Sequence, residues 1–305
     1  MKVVFLGTPE FSVNVLNSIY NSSHEIVGVV TQPDRKVGRK GIITPCQVKV
    51  QAQNLNLPVF SFEKISAEGV ELLKSLKADI FVTCAYGQIL SQQILDIAPY
   101  GVINVHASLL PKYRGSAPIQ WSIINGDKTT GVTIMQTALG VDSGDIILQE
   151  ELSIDGNYVD ELFSRLSTLG ASLIVKALDL IESGKATYTK QDESKVVHVK
   201  MISKNDGLID FSKSAINVVN LVKGLCTWPT AFTYYEGKML KIYKATAIDG
   251  KGNVGEVVDS NAKTGLLIGT SDGLVSVEEV QLEGGKKMPI KDFLLGKKIQ
   301  VGYRF

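Results

Sequence analysis

The sequence has few of the residues that build cross-links and metal sites. It contains three cysteines, three histidines and two tryptophans in 305 residues. The cysteines are odd in number, widely spaced and without a C-x-x-C pair, which argues against a disulfide framework or a cysteine zinc site. The histidines fall in no H-E-x-x-H or similar ligand spacing, so we expect no required metal. Few, widely spaced cysteines without a disulfide framework favour a protein of a reducing compartment.

The chain also lacks net charge and long apolar runs. Its formal net charge of +1 gives no global sign of a nucleic-acid partner, so any such site must come from local clusters. No apolar run approaches membrane-spanning length, and MKVVFLG runs straight into a predicted strand without a signal peptide. A cytoplasmic protein is expected. The length favours two domains, and 44% hydrophobic residues suffice for a sizeable core.

The first part of the chain alternates strands and helices. A strand from Lys2 to Leu6, a helix from Phe11 to Tyr20 and a strand from Glu25 to Thr31 open it, which predicts a Rossmann-like parallel sheet. The first turn lacks G-x-G-x-x-G, so no dinucleotide site is predicted there. The alternation continues with a predicted helix over about residues 67–76 and a predicted strand over residues 80–84. It reaches an amphipathic helix over residues 159–181, which Gly184 ends. We assign residues 1–184 to this α/β domain.

The last part of the chain has a different pattern. Residues 185–205 are polar without helical periodicity, and they are predicted to be a linker. After a helix over residues 214–225, short strands recur at regular spacing with glycine turns, which predicts an OB-like β-barrel over residues 206–305. The predicted strands cover residues 231–235, 240–243, 254–258, 265–270 and 274–282.

Three polar residues stand out as candidates for chemistry. The strand from Gly101 to Ala107 is apolar apart from Asn104 and His106, which share one face because side chains alternate along a strand. A lone histidine there would most simply be a hydrogen-bonded core residue. Further on, glycines bracket Asp142, which lets backbone pass close to a reacting group. An amide, an imidazole and a carboxylate without a nucleophile motif favour chemistry with no covalent enzyme intermediate.

Cations cluster in two segments. Residues 32–50 carry Arg35, Lys36, Arg39, Lys40 and Lys49 against the single acid Asp34, and glycines and prolines predict a loop. The segment is either a solvated basic surface or an insertion that contacts RNA phosphates. Residues 286–305 are basic as well, and the same two interpretations apply to them.

The motifs NVHASLLPKYRG and GVDSGD resemble the signature of the folate-dependent formyltransferases. Further motifs match in order, so the resemblance covers almost the whole chain: FLGTPEF, TQPDR, AYGQIL, APIQWSIINGD and TGVTIM. It is fullest with the branch of the family that formylates methionyl-tRNA. The resemblance implies 10-formyltetrahydrofolate as the formyl donor and initiator methionyl-tRNA as the acceptor, giving N-formylmethionyl-tRNA for translation initiation. A monomer without a membrane partner is expected.

The resemblance also implies roles for individual residues. Asn104 and His106 would stabilise the oxyanion, and Asp142 would orient the imidazole or help to carry the amine proton; the proton acceptor of the two stays open. Ser108, Leu109, Leu110 and Pro111 would contact the folate, and AYGQIL would form a wall of the pterin pocket. Lys112 and Arg114 would meet the anionic tail of the folate or simply face solvent. The basic loop, through Arg35, Lys36, Arg39 and Lys40, would reach the acceptor stem of the tRNA.

Other functions remain open from the sequence. Enzymes that formylate a purine precursor or an amino sugar share the three residues, although they would not obviously need the basic insertion and the barrel. A hydrolase that releases formate from the same folate could use the same groups with water in place of the amine. A non-catalytic RNA-binding protein would leave Asn104, His106 and Asp142 unexplained.

Overall fold

A computed structural model of the chain describes residues 1–38 and 41–305, with the side chain of Val37 outside that description. The chain forms two compact units. The first comprises residues 1–115, 130–153 and 163–198, and the second comprises residues 116–129, 154–162 and 199–305. Each unit has its own sheet.

The strands and helices have the following bounds. The strands are β1 Lys2–Gly7, β2 Glu25–Thr31, β3 Arg35–Val37, β4 Ile42–Thr44, β5 Val59–Ser61, β6 Ile80–Cys84, β7 Val102–His106, β8 Arg114–Gly115, β9 Thr129–Gln136, β10 Ile146–Ser153, β11 His198–Val199, β12 Ala231–Tyr235, β13 Lys238–Ile248, β14 Val257–Asn261, β15 Gly265–Gly269, β16 Leu274–Leu282 and β17 Met288–Pro289. The helices are α1 Phe11–Tyr20, α2 Gln47–Asn54, α3 Ile65–Glu68, α4 Val70–Ser75, α5 Gln92–Leu95, α6 Pro118–Ile124, α7 Val159–Glu182, α8 Ala215–Leu225 and α9 Ile290–Gly296, with 3-10 turns at Glu193–Lys195 and Lys204–Gly207.

The sheet of the first unit has the strand order β10-β9-β7-β6-β1-β2-β5. The pairs β1–β2, β1–β6, β2–β5 and β6–β7 are parallel, and β7–β9 is antiparallel. From Val3 to Leu6 the central strand β1 is completely buried, as expected for a parallel sheet covered on both faces. The strand order reverses between β1 and β6. Open α/β sheets bind ligands beyond the carboxyl ends of the strands at such a point.

Helix α7 fixes the position of strand β7. The helix has no side chain at Gly170, and a Cβ added there would lie 3.0 Å from Val105 Cγ1. Leu162, Leu166 and Ile174 on the same helix are buried. The close approach therefore places the backbone of α7 directly over the strand that carries Asn104 and His106.

The second unit contains an antiparallel sheet in the order β12-β13-β16-β15-β14, and β17 pairs with β16. Helices α8 and α9 pack on this sheet through buried apolar residues such as Val219, Val222 and Phe293. Helix α6 packs closely on α8 at Gly224, which has no side chain. A Cβ at this position would lie only 2.7 Å from Ile124 Cγ1. The predicted fold class was a Rossmann-like parallel sheet followed by an OB-like β-barrel. It is confirmed as a mostly parallel sheet in the first unit and an antiparallel sheet in the C-terminal part of the chain.

The structure corrects the prediction for residues 32–50. They are not one loop, because β3 and β4 form an antiparallel hairpin and α2 begins at Gln47. Three β-branched residues in a row, Ile42, Ile43 and Thr44, favour the strand, and Pro45 separates it from the helix. The predicted helix over residues 67–76 is likewise divided, with Gly69 between α3 and α4. Strand β10 was not predicted, since its polar stretch Gln149 to Glu151 hides the apolar pattern.

Candidate active site

Strand β7 holds Asn104 and His106 in the middle of the first unit. Asn104 lies opposite Thr83 of the parallel neighbour β6, and His106 lies opposite Thr133 of the antiparallel neighbour β9. Strand β7 pairs with β6 on one edge and with β9 on the other, so a shift of its backbone would break the hydrogen bonds between strands. His106 is buried, while Asn104 is half-buried.

A threonine on the next strand orients the amide of Asn104. The hydroxyl of Thr83 donates to Asn104 Oδ1 at 2.8 Å. Because this oxygen is occupied as an acceptor, the amide is turned so that its NH2 group is the end left for a further partner. Asn104 is thereby prepared as a hydrogen-bond donor on the face that it shares with His106.

The ring of His106 is held by a backbone carbonyl. Its Nε2 lies 2.9 Å from the carbonyl oxygen of Tyr113. A carbonyl can only accept, so Nε2 carries the hydrogen in this contact, and Nδ1 is the nitrogen of the neutral ring that has a lone pair. The imidazole therefore presents one basic nitrogen in a known direction.

Asp142 faces that nitrogen. Its Oδ2 lies 3.6 Å from His106 Nδ1 and accepts the backbone N–H of Gly115 at 2.8 Å. Asp142 has a φ of +48°, a left-handed conformation that costs a non-glycine residue about 1 kcal/mol or more. Such strain persists only where surrounding contacts hold it. The structure thus brings two of the predicted catalytic side chains together, and Asn104 lies two residues before His106 on the same strand.

The loop after Asp142 passes very close to strand β9. A Cβ at Gly144 would lie 1.7 Å from the carbonyl oxygen of Gln136, so glycine is required there. The N–H of Gln136 donates to the carbonyl of Asp145 at 2.8 Å. Gly144, one of the glycines that bracket Asp142 in the sequence, therefore allows the loop to pass close to the backbone of strand β9.

The segment Ser108 to Pro111 is fixed by two polar side chains that the sequence did not single out. Thr133 donates its hydroxyl to the carbonyl of Ser108 at 2.6 Å and accepts the N–H of Leu110 at 3.2 Å. Gln149 donates to the carbonyl of Leu110 at 3.0 Å. Ser108 itself is buried and donates to the carbonyl of Lys112, so its hydroxyl closes the turn. Leu109 is half-buried, so part of its apolar side chain remains accessible.

The AYGQIL segment lies at the carboxyl end of β6, where the strand order reverses. The carbonyl of Tyr86 accepts the Thr8 hydroxyl at 2.9 Å and the Gln32 side-chain amide at 3.1 Å. Gln88 ties the segment to the carbonyl of Phe62 at 2.9 Å. The ring of Tyr86 is buried, and burial raises the pKa of its phenol to about 12. Ile89 in the same segment is 78% exposed, so the segment presents a large apolar side chain to solvent.

Arg114 is not a solvated surface cation. It is only 4% exposed, and its guanidinium binds Glu193 through two N–H groups at 2.7 and 3.2 Å. Its Nε donates to Gln191 Oε1 at 2.9 Å. The solvated-surface interpretation is wrong for this residue. Lys112 is exposed, and its ammonium lies 4.9 Å from the centre of the Tyr113 ring.

The basic segment contains the β3–β4 hairpin. Arg35 is exposed and forms an ion pair with Glu63 at 2.7 Å, and Lys49 pairs with Asp34 at 2.9 Å. Lys36 is exposed, without an ion pair among residues 1–38 and 41–305. Arg39 and Lys40 lie outside the described residues. Next to them Ile42 and Ile43 are 61% and 66% exposed, so the hairpin presents apolar and cationic side chains together.

One group of side chains has the composition of a metal site. Within the described part of the chain, ligand atoms of His24, Asp179 and Glu182 lie within 4.8 Å of one another. The two carboxylates face different ring nitrogens, since Asp179 is 3.2 Å from Nε2 and Glu182 is 3.7 Å from Nδ1. The amino group of Met1 also contacts Glu182 at 2.8 Å and His24 Nδ1 at 3.2 Å. One ion cannot bind both nitrogens of a ring, so these contacts describe a charge network.

Comparison with known proteins identifies the class that this fold and site define. A family model described as Formyl transferase matches residues 1–178, and one described as Formyl transferase, C-terminal domain, matches residues 201–298. The chain belongs to the formyl transferase family. Among solved structures, an N-formyltransferase from Helicobacter canadensis is similar with a TM-score of 0.70 and 20% identity, covering 94% of this chain and 100% of that one. HypX from Aquifex aeolicus has a TM-score of 0.68 and 18% identity, covering 100% of this chain and 53% of that one. At such identities, both show the fold alone.

Curated relatives narrow the family further. The methionyl-tRNA formyltransferase of Geotalea daltonii is 44% identical over 304 residues, which cover 99% of this chain and 97% of the relative. That of Alkaliphilus oremlandii is 44% identical over 306 residues, with 99% and 98% coverage. Within the family, the chain therefore belongs with the methionyl-tRNA formyltransferases. Among residues 1–38 and 41–305, no helix has the length and apolar character needed to cross a bilayer.

Proposed function

We propose that the chain transfers the formyl group of 10-formyltetrahydrofolate to the α-amine of methionine on initiator methionyl-tRNA. The observation that carries the proposal is the arrangement of Asn104, His106 and Asp142 on and beside strand β7. The curated relatives at 44% identity support the choice of substrates. Solved relatives include HypX in complex with tetrahydrofolic acid, which supports a folate as the donor.

Asn104 acts on the formyl oxygen. When the amine attacks the formyl carbon, negative charge develops on that oxygen, and a donor held in place stabilises it by about 3 kcal/mol. The Thr83 hydroxyl holds the side-chain oxygen of Asn104, so the side-chain NH2 group needs no reorientation as the charge develops. His106, when it carries a proton on Nδ1, is a second donor on the same face.

His106 and Asp142 handle the proton that the amine must lose. Attack forms the bond between the amine nitrogen and the formyl carbon, and the bond between the formyl carbon and the folate nitrogen breaks. The amine releases one proton and the folate nitrogen gains one. Of the two residues, we propose His106 as the proton acceptor, because its Nδ1 carries a free lone pair when Nε2 donates to Tyr113. Asp142, whose Oδ2 lies 3.6 Å from Nδ1, stabilises the imidazolium that results.

The folate is proposed to lie along Ser108, Leu109, Leu110 and Pro111. Thr133 and Gln149 hold the backbone of this turn in one conformation, which gives a flat ligand a preformed apolar edge. Because the Ser108 hydroxyl is occupied by the Lys112 carbonyl, we assign recognition here to Leu109 and to backbone groups. The AYGQIL segment at the carboxyl end of β6 is the opposite wall in this proposal.

The tRNA is proposed to contact the β3–β4 hairpin through Arg35, Lys36, Arg39 and Lys40. Each cation that neutralises a phosphate adds salt-sensitive affinity. Arg35 is paired with Glu63, so its contribution requires an exchange of partners, whereas Lys36 is exposed on the same hairpin. We further propose a catalytic domain over residues 1–184, a linker over 185–205 and a tRNA-binding domain over 206–305. We propose a monomer that works in the cytoplasm.

The experiment that tests the proposal follows labelled formyl from 10-formyltetrahydrofolate. Charged initiator tRNA, charged elongator tRNA and free methionine are offered separately, and formate release is recorded in parallel. Label on charged initiator tRNA alone is the expected result. Formate without labelled tRNA would overturn the transferase in favour of a hydrolase, and label on elongator tRNA would remove the proposed selectivity.

A further inference from the structure

The Asp142 loop has little apolar burial of its own. Leu139 and Val141, which precede Asp142, are 63% and 56% exposed. Asp142 itself has the strained φ of +48°. A loop of this kind keeps one conformation only if polar contacts from elsewhere hold it. The residues that supply those contacts control where the Asp142 carboxylate lies.

Gln191 supplies two of these contacts. Its side-chain amide donates to the carbonyl of Asp142 at 2.8 Å and to the carbonyl of Gly144 at 2.8 Å. The two acceptors lie on either side of Ser143, so one amide spans the turn that carries the catalytic carboxylate. Its oxygen accepts Arg114 Nε at 2.9 Å. Only a primary amide can donate twice and accept at the same time in this geometry.

Arg114 connects this amide to the other side of the carboxylate. The residue after it, Gly115, donates the N–H that binds Asp142 Oδ2 at 2.8 Å. The Arg114 side chain is buried and held by Glu193, which fixes the chain at residues 114 and 115. The carboxylate and the backbone of Asp142 are therefore both positioned from one bracket formed by Arg114, Gln191 and Glu193.

We propose that Gln191 and Arg114 are positioning residues for formyl transfer, which hold Asp142 so that its carboxylate faces His106. The inference rests on the proposed function, because it assigns a role in the same reaction. Neither side chain is placed in contact with the substrates. Their effect passes through the carboxylate, so removing them changes the rate of the chemical step and leaves substrate binding in place.

A double-mutant cycle between Gln191→Met and Asp142→Ala tests this inference. Methionine keeps the length of the side chain and removes both donors and the acceptor. In the wild-type background we expect kcat for formyl transfer to fall by about 100-fold, the effect of a misplacement near 1 Å, with unchanged KM for both substrates. In the Asp142→Ala background the same substitution should cause no further loss, because the two residues act through one carboxylate.

The controls separate positioning from folding. Gln93→Met alters an exposed glutamine on α5 and should leave all rates unchanged. Gln191→Glu keeps an acceptor for Arg114 but cannot donate to the two carbonyls, and it should lose the same factor while thermal unfolding stays close to wild type. Arg114→Met in the same cycle should also lose activity only where Asp142 is present.

The outcomes are distinguishable from those of the proposed function. Wild-type kcat in Gln191→Met, or an equal loss in both backgrounds, would overturn the positioning role. Loss of folding in both Gln191 variants would overturn it too, since the residue would then be structural. If the wild-type chain releases formate without formylating tRNA, the proposed function fails. The double-mutant cycle can then still be measured, with the rate of formate release in place of the rate of formyl transfer.

Discussion

Asp142 presents one carboxylate oxygen to two residues: Oδ2 accepts the N–H of Gly115 at 2.8 Å and faces His106 Nδ1 at 3.6 Å. On its other side the imidazole is held by the carbonyl of Tyr113 at 2.9 Å. Both partners of the histidine–aspartate contact are thus fixed by backbone groups. These backbone contacts hold the carboxylate and the imidazole in the orientation in which they face each other.

Asp142→Asn should lower kcat by at least about 100-fold, the usual contribution of a positioned acid–base group. The asparagine keeps an acceptor for the Gly115 N–H but loses the charge that stabilises an imidazolium. Turnover of formyl transfer at saturating substrates is the measurement. Asp249→Asn, at an exposed position in the second unit, is the matched control. A rate near wild type for Asp142→Asn would remove the carboxylate charge from the mechanism.

Thr83→Val should reproduce part of the defect of Asn104→Ala. Valine has the shape of threonine but cannot donate to Asn104 Oδ1, so the amide loses its preferred orientation. We expect about 100-fold loss of kcat for Asn104→Ala and a smaller loss for Thr83→Val. The measurement is kcat of both variants from steady-state kinetics. Asn54→Ala, at an exposed position, is the control. Equal activity of Thr83→Val and wild type would show that the amide is oriented by other means.

Gly144→Ala should abolish formyl transfer. Its Cβ would lie 1.7 Å from the carbonyl oxygen of Gln136, so the loop must move away from β9 and carry Asp142 with it. Gly296→Ala is the control, because a Cβ there would meet nothing within 4 Å. Activity is measured together with far-UV circular dichroism. Retained activity in Gly144→Ala would show that the loop has room to relax without losing the carboxylate.

Lys36→Ala should weaken binding of initiator tRNA and make its salt dependence shallower. Loss of one phosphate contact changes the slope of log K against log salt by about 0.7 to 0.9. Filter binding between about 50 and 200 mM salt measures the slope. Lys2→Ala is the control, because Lys2 is exposed at the amino end of β1, away from the carboxyl ends of the parallel strands. An unchanged slope would exclude Lys36 from the tRNA interface.

Glu193→Gln should make the first unit less stable at neutral pH but not in acid. The hydrogen bond from Arg114 lowers the pKa of the Glu193 carboxyl below its ordinary value of about 4.3. A lowered folded-state pKa adds stability above the ordinary value, and that stability is lost as the pH falls through the folded-state pKa. The free energies of urea unfolding of wild type and Glu193→Gln should therefore differ at pH 7 and converge as the pH falls below the ordinary carboxyl pKa and through the lowered folded-state pKa. The exposed Glu68→Gln is the control, and a difference that persisted in acid would contradict the assignment.

The sequence predicted what depends on local pattern. Helix α1 and strands β2 and β6 have the predicted bounds, because their apolar periodicity and flanking turns are strong. Asn104 and His106 could be placed on one face from their spacing alone. The β3–β4 hairpin escaped prediction because its stability depends on pairing between strands rather than on periodicity.

The supporting residues of the site could not have been predicted from spacing. Thr83, Thr133, Gln149 and Gln191 are ordinary polar residues in the sequence, and each acts on a group that the fold brings near. Arg114 looked like an exposed cation because Glu193 is 79 residues away along the chain. A polar side chain can be assigned to a distant partner only once the topology is known.

The bracket around Asp142 also sets the order in which a growing chain acquires its site. Strand β7, with Asn104 and His106, is made early, but its neighbour β9 ends only at Gln136. Gln191 and Glu193 are synthesised later still. Until they are present, the Arg114 side chain lacks both the hydrogen bond to Gln191 and the ion pair with Glu193. A nascent chain that extends past Asp142 but has not yet released residue 193 from the ribosome therefore contains the three side chains of the proposed mechanism and lacks the bracket that aligns Asp142. Under the proposed mechanism, formyl transfer therefore becomes possible only near the end of synthesis of the first unit.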